Sequence, residues 1–205
     1  MPRSVESPAV REVAAARAMD DLRFIRTAME DASGFTSVPG AWLAVVGGVA
    51  LGTVAYLRFG ADVAPGSARW VVAWGIAAAL SLATGAVMLR RKASGAPGGR
   101  ASRPGRKLVL GVGAPLVAGL LASLGAWRAG VPDLLPGLWL ASYGAGVLAG
   151  GAFSPRPVLA LGGCCLALGG AAFFAPLALA DVFLGAGFGA LHLVCGLVIA
   201  RRHGG

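Results

Sequence analysis

The sequence predicts an all-α integral membrane protein, a six-helix bundle with an N-terminal cytoplasmic amphipathic helix. Two observations carry this prediction. The chain of 205 residues is 57% hydrophobic and only 13% charged, whereas a soluble domain carries about 25% charged residues. In addition, the apolar residues fall into six runs, each with about the 20 residues that a helix needs to cross a bilayer.

The six predicted spans form one domain, residues 40–205, and the preceding residues 1–39 form a cytoplasmic arm and elbow. Charged residues fall at the ends of the apolar runs or between them. A water-soluble core cannot absorb this much apolar surface, because too few polar residues remain to cover it. The predicted spans lie near residues 40–57, 68–89, 108–127, 134–153, 158–179 and 182–200.

The distribution of basic residues predicts the orientation of the spans. All but three of the 18 Lys and Arg lie in the two tails or in the even-numbered connections; the exceptions are Arg58, Arg69 and Arg128. Because basic residues accumulate on the cytoplasmic side, both termini are expected in the cytoplasm. The odd-numbered, outer connections carry one acidic residue each: Asp62, Asp133 and Asp181.

The net charge of +9 is attributed to the membrane location of the protein. These residues orient the spans and meet anionic lipid headgroups, and no nucleic acid is expected as a partner because no recognition motif accompanies the charge. The basic, Gly/Pro/Ser-rich linker at residues 92–106 is expected to be flexible, with docking of an acidic partner as the alternative. The three cysteines lie inside apolar runs, which excludes a secreted disulfide scaffold.

The arm is predicted to form one amphipathic helix from Ala9 to about Ala32, because Ser7-Pro8 is a helix start and apolar residues then recur at helical spacing. It is too charged to span the bilayer. Two interpretations stay open: a helix lying at the membrane interface, or a handle for a cytoplasmic protein partner. The predicted partner-binding residues are Leu22, Arg23, Phe24, Ile25, Arg26 and Met29.

Small residues are spaced for close helix packing at three Gly-x-x-x-Gly motifs, which predicts a compact bundle. Each outward-to-inward span also carries an aromatic residue directly before a glycine, a faint indication of three similar hairpins. The glycine motifs are Gly48/Gly52, Gly146/Gly150 and Gly185/Gly189, and the aromatic pairs are Trp74-Gly75, Tyr143-Gly144 and Phe188-Gly189.

His192 is the main candidate for chemistry, because an ionisable side chain deep in a span is functional by default. The alternative is a neutral histidine bonded to a serine or a backbone carbonyl. Ser142 is predicted at a similar depth, and a Ser/His pair in six spans resembles the rhomboid intramembrane proteases. Leu140 and Tyr143 stand where rhomboids have glycines, and span two has no Asn or His for an oxyanion hole.

A metal site is the next candidate, with His192, Cys195 and Cys164 as ligands of a soft metal. Adjacent helical positions point about 100° apart, so Cys164 and Cys165 do not easily share one ion. Apolar packing is the favoured role for these thiols, and no cofactor is expected. Channel or transport function lacks a carboxylate or base in mid-membrane, which leaves a pathway for an uncharged substrate as the transport alternative.

Two segments resemble a group of small uncharacterised bacterial inner-membrane proteins. They are Asp21-Leu22-Arg23-Phe24-Ile25-Arg26-x-x-Met29-Glu30 with Phe35-Thr36-x-Val38-Pro39-Gly40, and the ending from Leu191-His192 to Gly205. The resemblance implies the bacterial cytoplasmic membrane and no particular activity. The function expected is that of a non-enzymatic, partner-binding component, either in signalling or in a larger membrane complex. The alternatives are a transporter of a small uncharged or lipophilic molecule and a rhomboid-like hydrolase using Ser142 and His192.

Overall fold

The structure, a computed structural model, describes residue 12 and residues 17–26, 40–94, 103–151 and 156–203. These residues form helices joined by short turns, with no strand among them, which confirms the all-α class. Residues 1–37 and 38–205 are two separate units. Much of the predicted arm helix, the elbow, and part of the basic linker lie outside the described residues, and so does Met29.

The first unit contains one described helix, α1, at residues 17–26. In the second unit, two helices continue into a π-helical segment: α2 through Tyr56–Gly60, and α7 through Gly185–Ala190 into α8. The helices of the second unit are α2 (Gly40–Ala55), α3 (Ala68–Ser94), α4 (Arg103–Arg128), α5 (Leu135–Gly150), α6 (Arg156–Ala172), α7 (Ala180–Leu184) and α8 (Leu191–His203).

Four helical segments of the described chain are long and apolar enough to cross a membrane, which indicates a membrane protein. They are Gly40–Gly60, Ala68–Met88, Leu110–Arg128 and Leu177–Arg201. Helix α5 has 16 residues and α6 has 17, so both are shorter than the roughly 20 residues of an ordinary span.

The three odd-numbered connections meet at one end of the second unit. Gly66, in the first connection, has a φ of +78°, and a Cβ atom there would lie 2.8 Å from Leu177 and 3.3 Å from Pro132. Leu177 belongs to the third connection and Pro132 to the second. Because only glycine combines this φ with so close an approach, Gly66 is the point where all three connections pack together.

At the opposite end of the second unit, the starts of α2 and α6 lie beside α8. The start of α2 lies against α8, since a Cβ on Gly40 would be 2.5 Å from the carbonyl oxygen of Gly196. The Cys195 thiol lies 3.6 Å from the carbonyl oxygen of Pro157, which places the start of α6 beside α8. The helices therefore run as three antiparallel hairpins: α2 with α3, α4 with α5, and α6 with α7–α8.

Glycines set the closest helix contacts, as expected in lipid, where packing of small residues replaces a hydrophobic driving force. Added Cβ atoms at Gly146 and Gly189 would meet neighbouring helices within 3.0 Å. By contrast, a Cβ on Gly48 or Gly52 would have no neighbour within 4 Å. The motif on α2 therefore makes no close intrachain contact, and α2 packs instead through Gly40 and Gly47.

The predicted fifth span is too long. Helix α6 ends at Ala172, and the chain then turns before Pro176, where no backbone N–H is available to continue a helix. Phe174 in this turn is 92% exposed. Residues 173–179 have the hydropathy of a span because this connection is itself made of apolar residues.

We expect Gly144→Ala to destabilise the protein by about 1–3 kcal/mol, because the new methyl group overpacks a helix contact. Its Cβ would lie 2.5 Å from the backbone nitrogen of Leu166 and 2.6 Å from the carbonyl oxygen of Gly162.

The matched control is Gly163→Ala, where no neighbour lies within 4 Å. It should be neutral or stabilise by up to about 1 kcal/mol through helix propensity. Unfolding of the purified proteins in mixed micelles with increasing dodecyl sulfate measures both. Equal behaviour of the two variants would contradict the packing between α5 and α6.

Candidate functional site

Asp181, in the first turn of α7, is a charged side chain buried in the bundle. It is 1% exposed, the lowest exposure of any charged residue in the described chain. One carboxylate oxygen, Oδ1, accepts hydrogen bonds from the indole N–H groups of Trp70 at 2.7 Å and Trp74 at 3.4 Å. The second bond is long and therefore weak. Both indoles belong to α3, so the carboxylate joins two hairpins.

The other carboxylate oxygen of Asp181, Oδ2, pairs with Arg58. The Nε of Arg58 lies 2.8 Å away, and the Arg58 side chain is 38% exposed. Oδ2 accepts no hydrogen bond of good geometry, so this contact is an ion pair. A terminal nitrogen of Arg58 also donates to the carbonyl oxygen of Ala178 at 2.6 Å. Arg58 thus ties the π-helical end of α2 to the connection before α7.

The prediction that Asp181 lies on an outer loop is wrong, because the residue is helical and buried. A single acidic residue between two apolar runs has the sequence pattern of a short connection. Its burial depends on donors from Arg58, Trp70 and Trp74, which are more than 100 residues away in the chain. The spacing of the two tryptophans, one helical turn apart, was the only local signal that they face a common partner.

An aromatic chain extends from this carboxylate into the bundle. Trp70 is fully buried and stacks on Trp139 of α5, with ring centroids 5.3 Å apart and an interplanar angle of 12°. The indole N–H of Trp139 donates to the hydroxyl of Ser123 on α4 at 3.0 Å, and this hydroxyl donates in turn to the carbonyl of Gly119 at 2.7 Å. The buried polar groups here are therefore paired.

The aromatic residues of the three aromatic-Gly pairs meet in the structure. Trp74 lies 6.5 Å from Phe188, and Phe188 packs edge-on against Tyr143 at 5.3 Å, measured between ring centroids. One ring comes from each hairpin. The edge-to-face contact of Phe188 with Tyr143 is worth about 0.5–1.5 kcal/mol beyond the buried area. The three equivalent positions thus form a common core.

His192 lies at the inner end of this aromatic chain and is fully buried. Its Nδ1 is 2.9 Å from the carbonyl oxygen of Gly187, which can only accept, so Nδ1 carries the proton. In the neutral imidazole, Nε2 then accepts a hydrogen bond from the hydroxyl of Tyr143, 2.6 Å away. Both ring nitrogens of His192 are thus bonded, one of them to a backbone carbonyl.

Ser142 and His192 are not hydrogen-bonded to each other. The Ser142 hydroxyl donates to the carbonyl of Leu138 in its own helix at 2.6 Å, and its side chain faces Gly119 of α4. Tyr143, the next residue, faces His192 instead. Because adjacent helical side chains point about 100° apart, the position beside the histidine belongs to tyrosine. The base contact that nucleophilic catalysis requires is absent from this arrangement.

Cys165 and His192 share one acceptor, the carbonyl oxygen of Gly187, whereas Cys195 is directed elsewhere. Cys164 is exposed, whereas Cys165 and Cys195 are buried free thiols. Cys165 lies 3.8 Å from the Gly187 carbonyl, and Cys195 is directed to Pro157. Within the described ranges, no three His, Cys, Asp or Glu side chains are grouped so as to hold a metal ion.

The side chains of α1, the described part of the arm, are exposed. Large apolar residues on it are more than half exposed: Met19, Leu22, Phe24 and Ile25. Asp20 and Arg23 form a surface ion pair at 3.7 Å, which contributes little to stability. The predicted binding residues at positions 22–26 are thus accessible on one short helix.

No family model, no curated protein and no solved structure is detectably similar to this chain.

We expect Arg58→Met to destabilise the protein by about 2–3 kcal/mol, because it leaves the buried carboxylate of Asp181 without its counter-charge. The double variant Arg58→Met/Asp181→Asn should recover at least about 1 kcal/mol of this loss. Asparagine removes the charge and keeps an oxygen that accepts the Trp70 bond.

A double-mutant cycle in mixed micelles measures the coupling, with Asp181→Asn as the second single variant. Arg58 is partly exposed and stays hydrated in Asp181→Asn. We therefore expect this variant to lose less stability than Arg58→Met does, about 1 kcal/mol. Strictly additive effects of the two substitutions would show that the ion pair contributes nothing.

Proposed function

We propose that this chain is a non-enzymatic, partner-binding protein of the bacterial inner membrane, either a signalling component or an accessory subunit of a larger complex. The observation that carries the proposal is the contrast between the arm and the interior. On α1, apolar Leu22, Phe24 and Ile25 stand exposed beside Arg23. In the bundle, the buried polar side chains of the described residues are occupied by internal partners.

This contrast supports a partner-binding surface and not a reaction centre. An exposed helix with large apolar side chains gains free energy when another surface covers it. Met29 and Arg26 extend the proposed surface. Conversely, a catalytic site needs a nucleophile or base free to reach a substrate, and Ser142 and His192 are both bonded within the bundle.

We further propose six spans with both termini in the cytoplasm. The convergence of the three odd-numbered connections on Gly66 supports this topology, because helices α2, α4 and α6 then all end on one side. Short α5 and α6 lie inside the bundle, where eight residues of α5 are buried. A bilayer accommodates a short helix by local thinning at a modest cost. The excess of basic residues at the other side supports the orientation.

A lateral groove between α2 and α3 favours a second candidate function, transport of a small uncharged or lipophilic molecule. The groove has a volume of about 450 Å³ and is lined mainly by apolar side chains. This volume lies within the roughly 300–1,000 Å³ of small-molecule sites.

The partner proposal predicts that Leu22→Ser/Phe24→Ser/Ile25→Ser inserts normally and loses its bound partner by at least about tenfold, since apolar anchors dominate interface energies. The control Arg17→Ser/Asp21→Ser changes polar residues of the same helix and should retain the partner. Mild-detergent purification from the native membrane with quantitative mass spectrometry measures this. A wild-type protein without a stoichiometric partner would refute the proposal.

The topology proposal predicts the side of reporter fusions. Fusions after Asp62 and Asp133 should be periplasmic, and a fusion at Gly98 should be cytoplasmic. A fusion after Pro155 decides the number of spans, because it is cytoplasmic only when α5 crosses the membrane. A periplasmic signal there would reduce the bundle to four spans, and a reversed pattern at the other three sites would overturn the orientation.

A further inference from the structure

The groove between α2 and α3 is open to the side of the bundle. Small residues form much of it, and Ala77 at its base is buried. The hydroxyl of Thr53 is not available to a ligand as a donor, because it donates to the carbonyl of Val49 in its own helix at 2.9 Å. The surface that the groove presents is therefore apolar, and an unbranched hydrocarbon chain suits it better than a polar solute.

One end of this groove carries a basic side chain. Arg69 precedes the groove residues Ala73, Ile76 and Leu80 by four, seven and eleven positions, so all four lie along one face of α3. Arg69 is exposed and has no hydrogen bond or ion pair with any residue that the structure describes. Arg58, by contrast, is held by Asp181. Arg69 is thus an exposed cation at the end of the groove that lies nearest the odd-numbered connections.

Two further features favour an anion beside Arg69. It stands in the first turn of α3, a helix of 27 residues whose N-terminus carries partial positive charge. Across the groove, the exposed ring of Tyr56 on α2 stands at the same end, where amphipathic aromatic rings sit at headgroup level. An apolar groove that ends in a cation and an interfacial tyrosine has the charge pattern of a phospholipid.

We propose that the α2/α3 groove is a binding site for one phospholipid of the leaflet at this end of the bundle. An acyl chain lies along Gly52, Ala73 and Ala77, and the phosphate pairs with Arg69. A basic residue near an anionic membrane surface gains about 1 kcal/mol. The proposal rests on the bundle being a membrane protein and does not depend on the arm.

The test uses the purified full chain in detergent, titrated with dioleoyl-phosphatidylglycerol and followed by native mass spectrometry. We expect one retained lipid per chain. Dioleoylglycerol, which has the same acyl chains and no phosphate, should bind at least about fivefold more weakly, the effect of one basic residue near a headgroup. Arg69→Gln should lose phosphatidylglycerol by a similar factor, and Arg69→Lys should keep it.

Gly52→Leu fills the groove, and it should fold because no atom lies within 4 Å of its added Cβ. It should abolish the retained lipid. The matched control is Gly48→Leu, one turn away on α2, which is equally free of neighbours and does not line the groove; it should retain the lipid. Equal lipid retention by all variants would overturn the proposal, and so would a lipid-free dimer of the wild-type chain that Gly52→Leu dissociates.

Discussion

The ion pair between Arg58 and Asp181 is the constraint on which one end of the bundle depends, the end where the odd-numbered connections meet. An unpaired carboxylate at 1% exposure would cost several kcal/mol, since charges are strongly disfavoured away from water. Arg58, Trp70 and Trp74 must therefore be in place when α7 packs, which fixes the first hairpin against the third. The same arginine holds the carbonyl of Ala178, so the connection before α7 is held as well.

From this carboxylate, bonded and stacked side chains continue through all three hairpins. Trp70 stacks on Trp139, whose indole reaches Ser123 on α4, and Phe188 and Tyr143 lead on to His192. Each polar atom along the way is paired with a neighbour in the bundle. Such an internally bonded interior gives rigidity and a unique arrangement.

The two proposed binding surfaces differ in the kind of partner that each would bind. We propose that the arm offers apolar and basic side chains to a cytoplasmic protein, and that the α2/α3 groove offers an apolar channel and Arg69 to a lipid. Neither surface uses the buried ion pair directly. The pair instead keeps α2 in its place, and α2 supplies one wall of the groove.

The sequence by itself determined the helical class and the confinement of charge to the ends of the apolar runs, because hydropathy and helical periodicity are local properties. It also indicated which positions are equivalent between hairpins, and Trp74, Tyr143 and Phe188 do meet in the structure. The tertiary structure alone decided that Asp181 is buried, that Tyr143 and not Ser142 bonds His192, and that Gly48 and Gly52 face outward. These facts depend on contacts between distant residues and on the rotation of each helix about its axis, which no local pattern specifies.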